Sequence, residues 1–152
     1  MKKDIVTLWD LEPEEIMQLI ERAMVFHKNN TSGVLYRPLE GKTLGIIFEK
    51  PSTRTRVSFE VAMIQLGGGV TFLSAKETQL ARNEPIADTA RVLSRYLGAI
   101  VIRTYSQKLL EELALNASIP VINGLTDTYH PCQVLSDLQT ILEKKGTLTG
   151  LK

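Results

Sequence analysis

The segment 43–60 constrains the fold most, because it changes from strand to helix periodicity around a single proline. Residues 43–48 are a short apolar run, which indicates a buried strand, and Pro51 interrupts the chain just after it. Beyond the proline, apolar residues follow the i, i+4, i+7 spacing of a helix face at Val57, Val61 and Ile64. The segment therefore predicts a strand, a tight turn and a helix that begins after an N-cap at Ser52.

The first turn of this helix is a candidate anion site. Ser52, Thr53, Arg54 and Thr55 lie where backbone N–H groups lack intrahelical partners and the helix dipole is positive. A forked guanidinium can bind two phosphate oxygens at once. At about 100° per residue, Arg54 and Arg56 point to nearly opposite sides, so we assign Arg54 to the anion and Arg56 to structure. An ordinary capped helix with two surface arginines is the alternative interpretation.

Helices alternate with short apolar strands along the whole chain, which predicts one α/β domain of the three-layer αβα type. The expected sheet is short and parallel, with about four strands and helices on both faces. The expected strands are 43–48, 70–73, 99–102 and 119–122. The expected helices begin at Pro13, at Ser52, at Asn83–Pro85 with Pro85 as the first helical residue, at Ser106 and at His130. The last helix is expected to end at Gly146 and to turn five residues inward: Val134, Leu135, Leu138, Ile141 and Leu142.

Polar residues follow each predicted strand, and ligands of parallel sheets bind beyond the carboxyl ends of the strands. The residues after the four strands are, in order, Ser52 to Thr55, Gln79, Arg103, and His130 with Gln133. His130 could donate to a developing oxyanion, whereas Gln133 suits an amide-like group. His130 could instead cap its own turn, and Gln79 could lie in a solvated loop. Cys132 and His130 should diverge at a helix start, which argues against a thiol nucleophile.

Composition limits the class of partner and the compartment. The net charge is +1 over 152 residues, so no surface for nucleic acid or an anionic membrane is expected. One cysteine excludes an internal disulfide and suits a reducing compartment. The sequence shows no apolar span and no targeting segment at its start, which predicts a cytoplasmic protein.

The S-T-R-T-R element at 52–56, together with His-Pro-Cys-Gln at 130–133, resembles the aspartate and ornithine carbamoyltransferase family. The resemblance covers essentially the whole chain and implies the N-terminal domain, which binds carbamoyl phosphate. Cys132 and Gln79 resemble the ornithine branch, in which the carbamoyl group passes to L-ornithine in arginine biosynthesis and gives L-citrulline and phosphate. A carbamoyl phosphate-binding or assembly module without turnover, or an aspartate-type domain, is the alternative.

The resemblance also implies roles for residues. The phosphate would be bound by Ser52, Thr53, Arg54 and Thr55, the phosphate side and the carbonyl oxygen by Arg103 and His130, and the carbamoyl nitrogen by Gln133. Gln79 would reach the neighbouring subunit of a homotrimer, and no metal or cofactor is required. Residues 1–146 would form the domain, and 147–152 would begin the connection to an absent ornithine-binding domain. Ala81 and Asn83 depart from the family's usual glycines.

Overall fold

The computed structural model describes residues 2–74 and 84–150, in which helices and strands alternate as the sequence predicts. The helices are α1 (Pro13–Thr31), α2 (Thr53–Gln65), α3 (Ile86–Leu93), α4 (Gln107–Asn116) and α5 (Pro131–Lys145). The strands are β1 (Thr43–Phe48), β2 (Gly69–Ser74), β3 (Ala99–Arg103) and β4 (Val121–Leu125). None of the helices in the described residues is long and apolar enough to cross a membrane.

The strands form one parallel sheet in the order β2-β1-β3-β4. Phe48 of β1 lies opposite Ser74 of β2 and Arg103 of β3, and Arg103 in turn lies opposite Leu125 of β4. These four residues are the last of their strands, so the carboxyl ends form one row. The sequence-based prediction of a parallel sheet of about four strands is confirmed.

Both faces of the sheet are covered, which confirms the three-layer architecture. On one face, buried side chains of β1, β3 and β4 pack with α3 and α4 around Leu110 and Leu113. On the other face, Ile46 and Phe48 pack against Met63 and Phe59 of α2. The strand residues alternate between the two clusters, which explains the absence of polar alternation in β1 and β3. Helix α5 contacts β4, and α1 packs outside it.

Helix boundaries follow local capping chemistry. The Ser52 and Ser106 hydroxyls accept hydrogen bonds from backbone N–H groups three residues later, at 3.3 and 3.2 Å. At the start of α1, the Glu12 N–H donates to the Glu15 carboxylate at 3.1 Å, as in one half of a capping box. Gly146 ends α5 with φ of 74°, a left-handed conformation that glycine adopts without a Cβ clash.

Three details of the sequence-based prediction are wrong. Pro85 is the N-cap of α3 rather than its first helical residue. Strand β4 runs over Val121–Leu125 rather than 119–122, because Ser118 and Ile119 form a bend after α4 and Pro120 has no N–H for the strand pairing. Val134 is 44% exposed rather than inward-facing. The spacing of Val57, Val61 and Ile64 correctly predicted the helix α2, and all three side chains are exposed on it.

One pairing was not predicted. Ile5 forms a parallel bridge to Ile122, and the Asp4 carboxylate accepts a hydrogen bond of 2.8 Å from the Val121 N–H. The N-terminal segment thereby covers the outer edge of β4. An exposed strand edge would otherwise offer unpaired N–H and C=O groups to other chains.

Candidate anion-binding site

A cavity of about 400 Å³ opens at the carboxyl edge of the sheet, between the N-termini of α2 and α5. Residues singled out from the sequence line it: Ser52, Arg54, Thr55, Arg103, His130 and Gln133. They come from three separate stretches of the chain and meet because β1, β3 and β4 end in one row. The structure therefore gathers at one place six of the eight residues that were assigned to one site from the sequence.

Two predicted residues are not among those that line this cavity. Thr53 is the first residue of α2 and lines a shallow groove on that helix together with Val57 and Val61. Gln79 lies outside the described residues. The structure thus places the side chains of Ser52 and Thr55, rather than that of Thr53, at the cavity.

The two arginines at the start of α2 have different surroundings. Arg56 donates from Nε to the Glu60 carboxylate at 2.8 Å, and its guanidinium carbon lies 3.7 Å from the centroid of the Phe72 ring. Arg54 is exposed, lines the cavity, and forms no ion pair with any described residue. Arg56 is therefore engaged in structural contacts, whereas no carboxylate of the described residues neutralises the charge of Arg54 at the cavity.

Arg103 enters the cavity from the end of β3. Its Nε is buried and has no hydrogen-bond partner among the described residues, although a buried donor without a partner costs about 1–3 kcal/mol. The strand pairing shifts beside it, because Gly124 is an extra residue between the pairs Ile102–Asn123 and Arg103–Leu125. A Cβ at Gly124 would lie 3.1 Å from Val101 Cγ1 and 3.2 Å from the Ile102 carbonyl oxygen, so a larger residue at this bulge would require its neighbours to shift. The Nε–H of Arg103 can therefore donate a hydrogen bond to an acceptor atom of a bound ligand.

The loops that carry these side chains are tied together beside the cavity. Lys50 contacts the Asp127 carboxylate and lies 4.4 Å from the centroid of the Tyr105 ring. The Asp127 N–H donates to the Tyr105 carbonyl at 3.1 Å. The turn before Ser52 is thereby fixed to the loops after β3 and β4.

His130 is the N-cap of α5, and its Nδ1 accepts a hydrogen bond of 3.3 Å from the Gln133 N–H. His130 therefore does cap its own turn, as the alternative interpretation expected, but it uses only Nδ1 to do so. An imidazole that accepts at Nδ1 carries its proton at Nε2, which leaves Nε2–H as a donor. Burial and the positive charge of Arg103 lower the pKa of His130 from its usual 6.5, whereas Asp137 raises it by a smaller amount. His130 is consequently neutral at pH 7.

We expect His130 to titrate below pH 6.5. The unfolded chain takes up the proton more readily than the folded chain, so the contribution of His130 to stability is complete above pH 6.5 and is lost as pH falls through the folded pKa. The chain has two histidines, and His27→Gln leaves one imidazole to follow by NMR. His130→Asn, which keeps a capping side chain, should remove this part of the pH dependence of unfolding. A midpoint at or above 6.5 would contradict the assignment.

Cys132 lies between these residues without acting as a nucleophile. Its Sγ contacts the Asn123 carbonyl oxygen at 3.4 Å, and burial raises the pKa of the thiol to about 11. A protonated thiol is a poor nucleophile. This agrees with the expectation that Cys132 and His130 do not form a catalytic pair.

Sequence reasoning missed several residues at or beside the cavity. Those that line it are Ser58, Phe59, Leu125 and Ser136. Asp137 accepts a hydrogen bond of 2.9 Å from the Gln133 side-chain amide, and the i, i+4 spacing of Gln133 and Asp137 on a predicted helix was a usable signal. The sequence gives no such signal for Ser58 and Ser136, because a single serine on a helix with other polar residues does not indicate a site.

The arrangement suits a small anion with a polar, uncharged group attached. Two helix N-termini, Arg54 and Arg103 supply positive potential, and His130 and Gln133 supply neutral hydrogen-bonding groups. Among the described residues, no group of three or more histidine, cysteine or acidic side chains could hold a metal ion.

Comparison with known proteins identifies relatives over nearly the full chain. Residues 3–143 match the family model described as the aspartate/ornithine carbamoyltransferase, carbamoyl-P binding domain. The ornithine carbamoyltransferase of Oceanobacillus iheyensis is 61% identical over 99% of this chain and 47% of its own length. That of Syntrophus aciditrophicus is 57% identical over 100% of this chain and 50% of its own. The chain thus spans about half the length of the curated relatives it matches.

Solved structures agree with the sequence matches. Ornithine carbamoyltransferase from Pyrococcus furiosus has a TM-score of 0.95 at 56% identity, over 98% of this chain and 48% of that one. Aspartate transcarbamoylase from Trypanosoma cruzi, in complex with carbamoyl phosphate and aspartate, has a TM-score of 0.91 at 31% identity, over 98% and 50% of the two chains. Fold, motif positions and sequence identity lead to one conclusion: this chain belongs to the aspartate/ornithine carbamoyltransferase family.

Proposed function

We propose that this chain is the carbamoyl phosphate-binding half of an ornithine carbamoyltransferase. The observation that carries the proposal is the cavity at the carboxyl edge, where Arg54 and Arg103 lie beside a helix N-terminus without an acidic partner among the described residues. A phosphate group needs positive charge and N–H donors at close range, and both are present there.

The proposed roles follow from the chemistry of each side chain. The phosphate oxygens accept hydrogen bonds from the side chains of Ser52, Arg54 and Thr55 and from the backbone N–H of Thr53 at the start of α2. Arg103 reaches the phosphate side, and the Nε2–H of His130 donates to the carbamoyl carbonyl oxygen. Gln133 meets the carbamoyl nitrogen.

The proposed reaction begins with a neutral side-chain amine of L-ornithine. Its nitrogen attacks the carbamoyl carbon and a tetrahedral oxyanion forms. The C–O bond to the phosphate then breaks with its electrons on the phosphate oxygen, and the attacking nitrogen loses one proton to the departing phosphate, which gives L-citrulline. Arg54, Arg103 and His130 stabilise the charge that builds on the oxygens, so their contribution is electrostatic preorganisation without a covalent intermediate. The proposal requires no metal and no cofactor.

Ornithine is favoured over aspartate as the acceptor. The ornithine enzymes of Pyrococcus furiosus and Burkholderia thailandensis are 56% and 44% identical to this chain, whereas the aspartate enzyme of Trypanosoma cruzi is 31% identical. Cys132 and Gln79 add to this preference through the resemblance of their motifs. An aspartate-type domain is the alternative.

The proposal also covers the domain organisation, the cellular compartment and the pathway. Residues 1–146 form the carbamoyl phosphate-binding domain, and 147–152 begin a connection to an ornithine-binding domain. We assign the protein to the cytoplasm and to arginine biosynthesis. The single cysteine, which suits a reducing compartment, supports the first assignment.

We also propose a homotrimer in which Gln79 of one protomer completes the cavity of its neighbour. Support comes from α2, whose exposed apolar stripe begins one turn after Thr53: Val57 is 49%, Val61 42% and Ile64 66% exposed. This stripe continues from Arg54 and so adjoins the cavity itself. A second copy that covers the stripe would bring its own loops to the anion site.

We expect the isolated chain to bind carbamoyl phosphate and to form no citrulline when ornithine is added. The cavity contains the phosphate-binding groups, but transfer requires both reactants in line. Calorimetry measures the binding, and a colorimetric citrulline assay measures the turnover. Arg54→Ala serves as the control for specific binding. Citrulline formed in proportion to purified chain would contradict this expectation and would show that the chain carries the acceptor site too.

A further inference from the structure

The side-chain amide of Gln133 is held by one neighbour on its own helix. Its Nε2 donates to Asp137 Oδ1 at 2.9 Å, one turn further along α5. Gln133 lines the cavity, whereas Asp137 is exposed and does not line it. The amide therefore bridges the cavity and an acceptor outside it.

This bond decides which end of the amide serves the cavity. A carboxylate only accepts hydrogen bonds, so the end of Gln133 that it binds must be the NH₂ group. The nitrogen and oxygen of an amide diverge from one carbon, and with Nε2 bound outside, Oε1 is the end left for a ligand. An amide without such a partner could turn over and present either end.

An acceptor at this place distinguishes two groups of nearly the same size. The amino group of a carbamoyl phosphate donates hydrogen bonds, whereas the methyl group of an acetyl phosphate does not. A site built to pair with a donor rejects an analogue that lacks one, because its own polar atom is left unpaired.

We propose that Asp137 is a positioning residue that fixes the oxygen end of Gln133 toward the cavity and thereby selects carbamoyl phosphate over acyl phosphates of the same shape. The inference rests on the proposed function, since it assumes carbamoyl phosphate as the ligand. Asp137 acts through Gln133 and touches no ligand itself.

The test is the ratio of the dissociation constants of acetyl phosphate and carbamoyl phosphate, measured by calorimetry on the whole chain. Asp137→Ala should lower this ratio by roughly 3- to 10-fold, the value of one modest hydrogen bond. The affinity for inorganic phosphate should change less than the affinity for carbamoyl phosphate. Asp137→Asn should keep most of the ratio, because the Asn oxygen can still accept from Nε2.

The chain offers a matched control on the same helix. Gln139 donates to Glu143 at 2.9 Å with the same i, i+4 spacing, away from the cavity. Glu143→Ala should therefore affect stability about as much as Asp137→Ala and leave the ratio unchanged. A double-mutant cycle adds a second criterion: in a Gln133→Leu background, Asp137→Ala should lower the ratio no further.

The results distinguish a failure of the proposed function from a failure of the inference about Asp137. If the unsubstituted chain binds carbamoyl phosphate no better than inorganic phosphate, the proposed function fails and takes the inference with it. If carbamoyl phosphate is preferred but Asp137→Ala keeps the full ratio, the proposed function stands and the inference is overturned. A further loss of the ratio in the Gln133→Leu background would also overturn it, because Asp137 would then act by another route.

Discussion

Replacing Arg54 with alanine is expected to weaken carbamoyl phosphate binding by about 2–4 kcal/mol, because a charge-assisted forked contact over a helix N-terminus is lost. Arg54 forms no ion pair within the described residues, so its removal leaves no internal carboxylate unpaired. The free energy of unfolding should therefore change little. Calorimetric binding and thermal unfolding of the same sample measure the two effects separately.

Arg56→Ala is the matched control, two residues along the same helix. Its loss removes the contact with Glu60 and the stacking on Phe72, which together should lower the free energy of unfolding by about 1 kcal/mol. Ligand affinity should stay within a small factor of that of the unsubstituted chain. A larger loss of affinity for Arg56→Ala than for Arg54→Ala would mean that the two guanidinium groups have been assigned the wrong way round.

Val61→Glu is expected to convert a trimer into monomers. In the proposed assembly, the stripe of Val57, Val61 and Ile64 is covered by a second copy, and a carboxylate placed there would be buried without a partner. In a monomer the same carboxylate would lie on the surface at little cost. Sedimentation equilibrium should thus report a threefold difference in mass, with the helical circular dichroism signal unchanged.

Leu115→Glu is the control for the effect of added charge. Leu115 is 85% exposed on α4, which packs on the opposite face of the sheet from α2. This variant should keep the mass of the unsubstituted chain. A trimer that persists in Val61→Glu would remove the structural support from the proposed assembly, and dissociation by both variants would show only general sensitivity to charge.

Much of the fold could be predicted because strand and helix periodicities in this chain are short and cleanly separated. The strand 43–48 and the N-cap at Ser52 follow from local patterns and are confirmed. The sequence could not show what covers the apolar face of α2. The apolar spacing of Val57, Val61 and Ile64 is the same whether the face meets the sheet or points outward, and only the tertiary arrangement decides between them.

Part of the candidate site could be predicted because parallel strands have their carboxyl ends at the same edge of the sheet. Arg103 and His130 could be placed together because parallel strands end in one row. The bulge at Gly124 could not be predicted, because it depends on the pairing register between β3 and β4. Similarly, nothing in the sequence shows that Nε of Arg103 lacks a partner, since that is a property of the surrounding packing.

The partly buried thiol of Cys132 allows access to this site to be measured without any label. It is the single cysteine of the chain, its high pKa suppresses the reactive thiolate, and it lies between His130 and Gln133 on the first turn of α5. Cys132 is of intermediate exposure and lines the cavity, so alkylating reagents can reach it from the cavity as well as when that turn opens. The alkylation rate of the native chain, divided by that of the unfolded chain, therefore gives an upper limit on the equilibrium constant for opening the α5 half of the cavity.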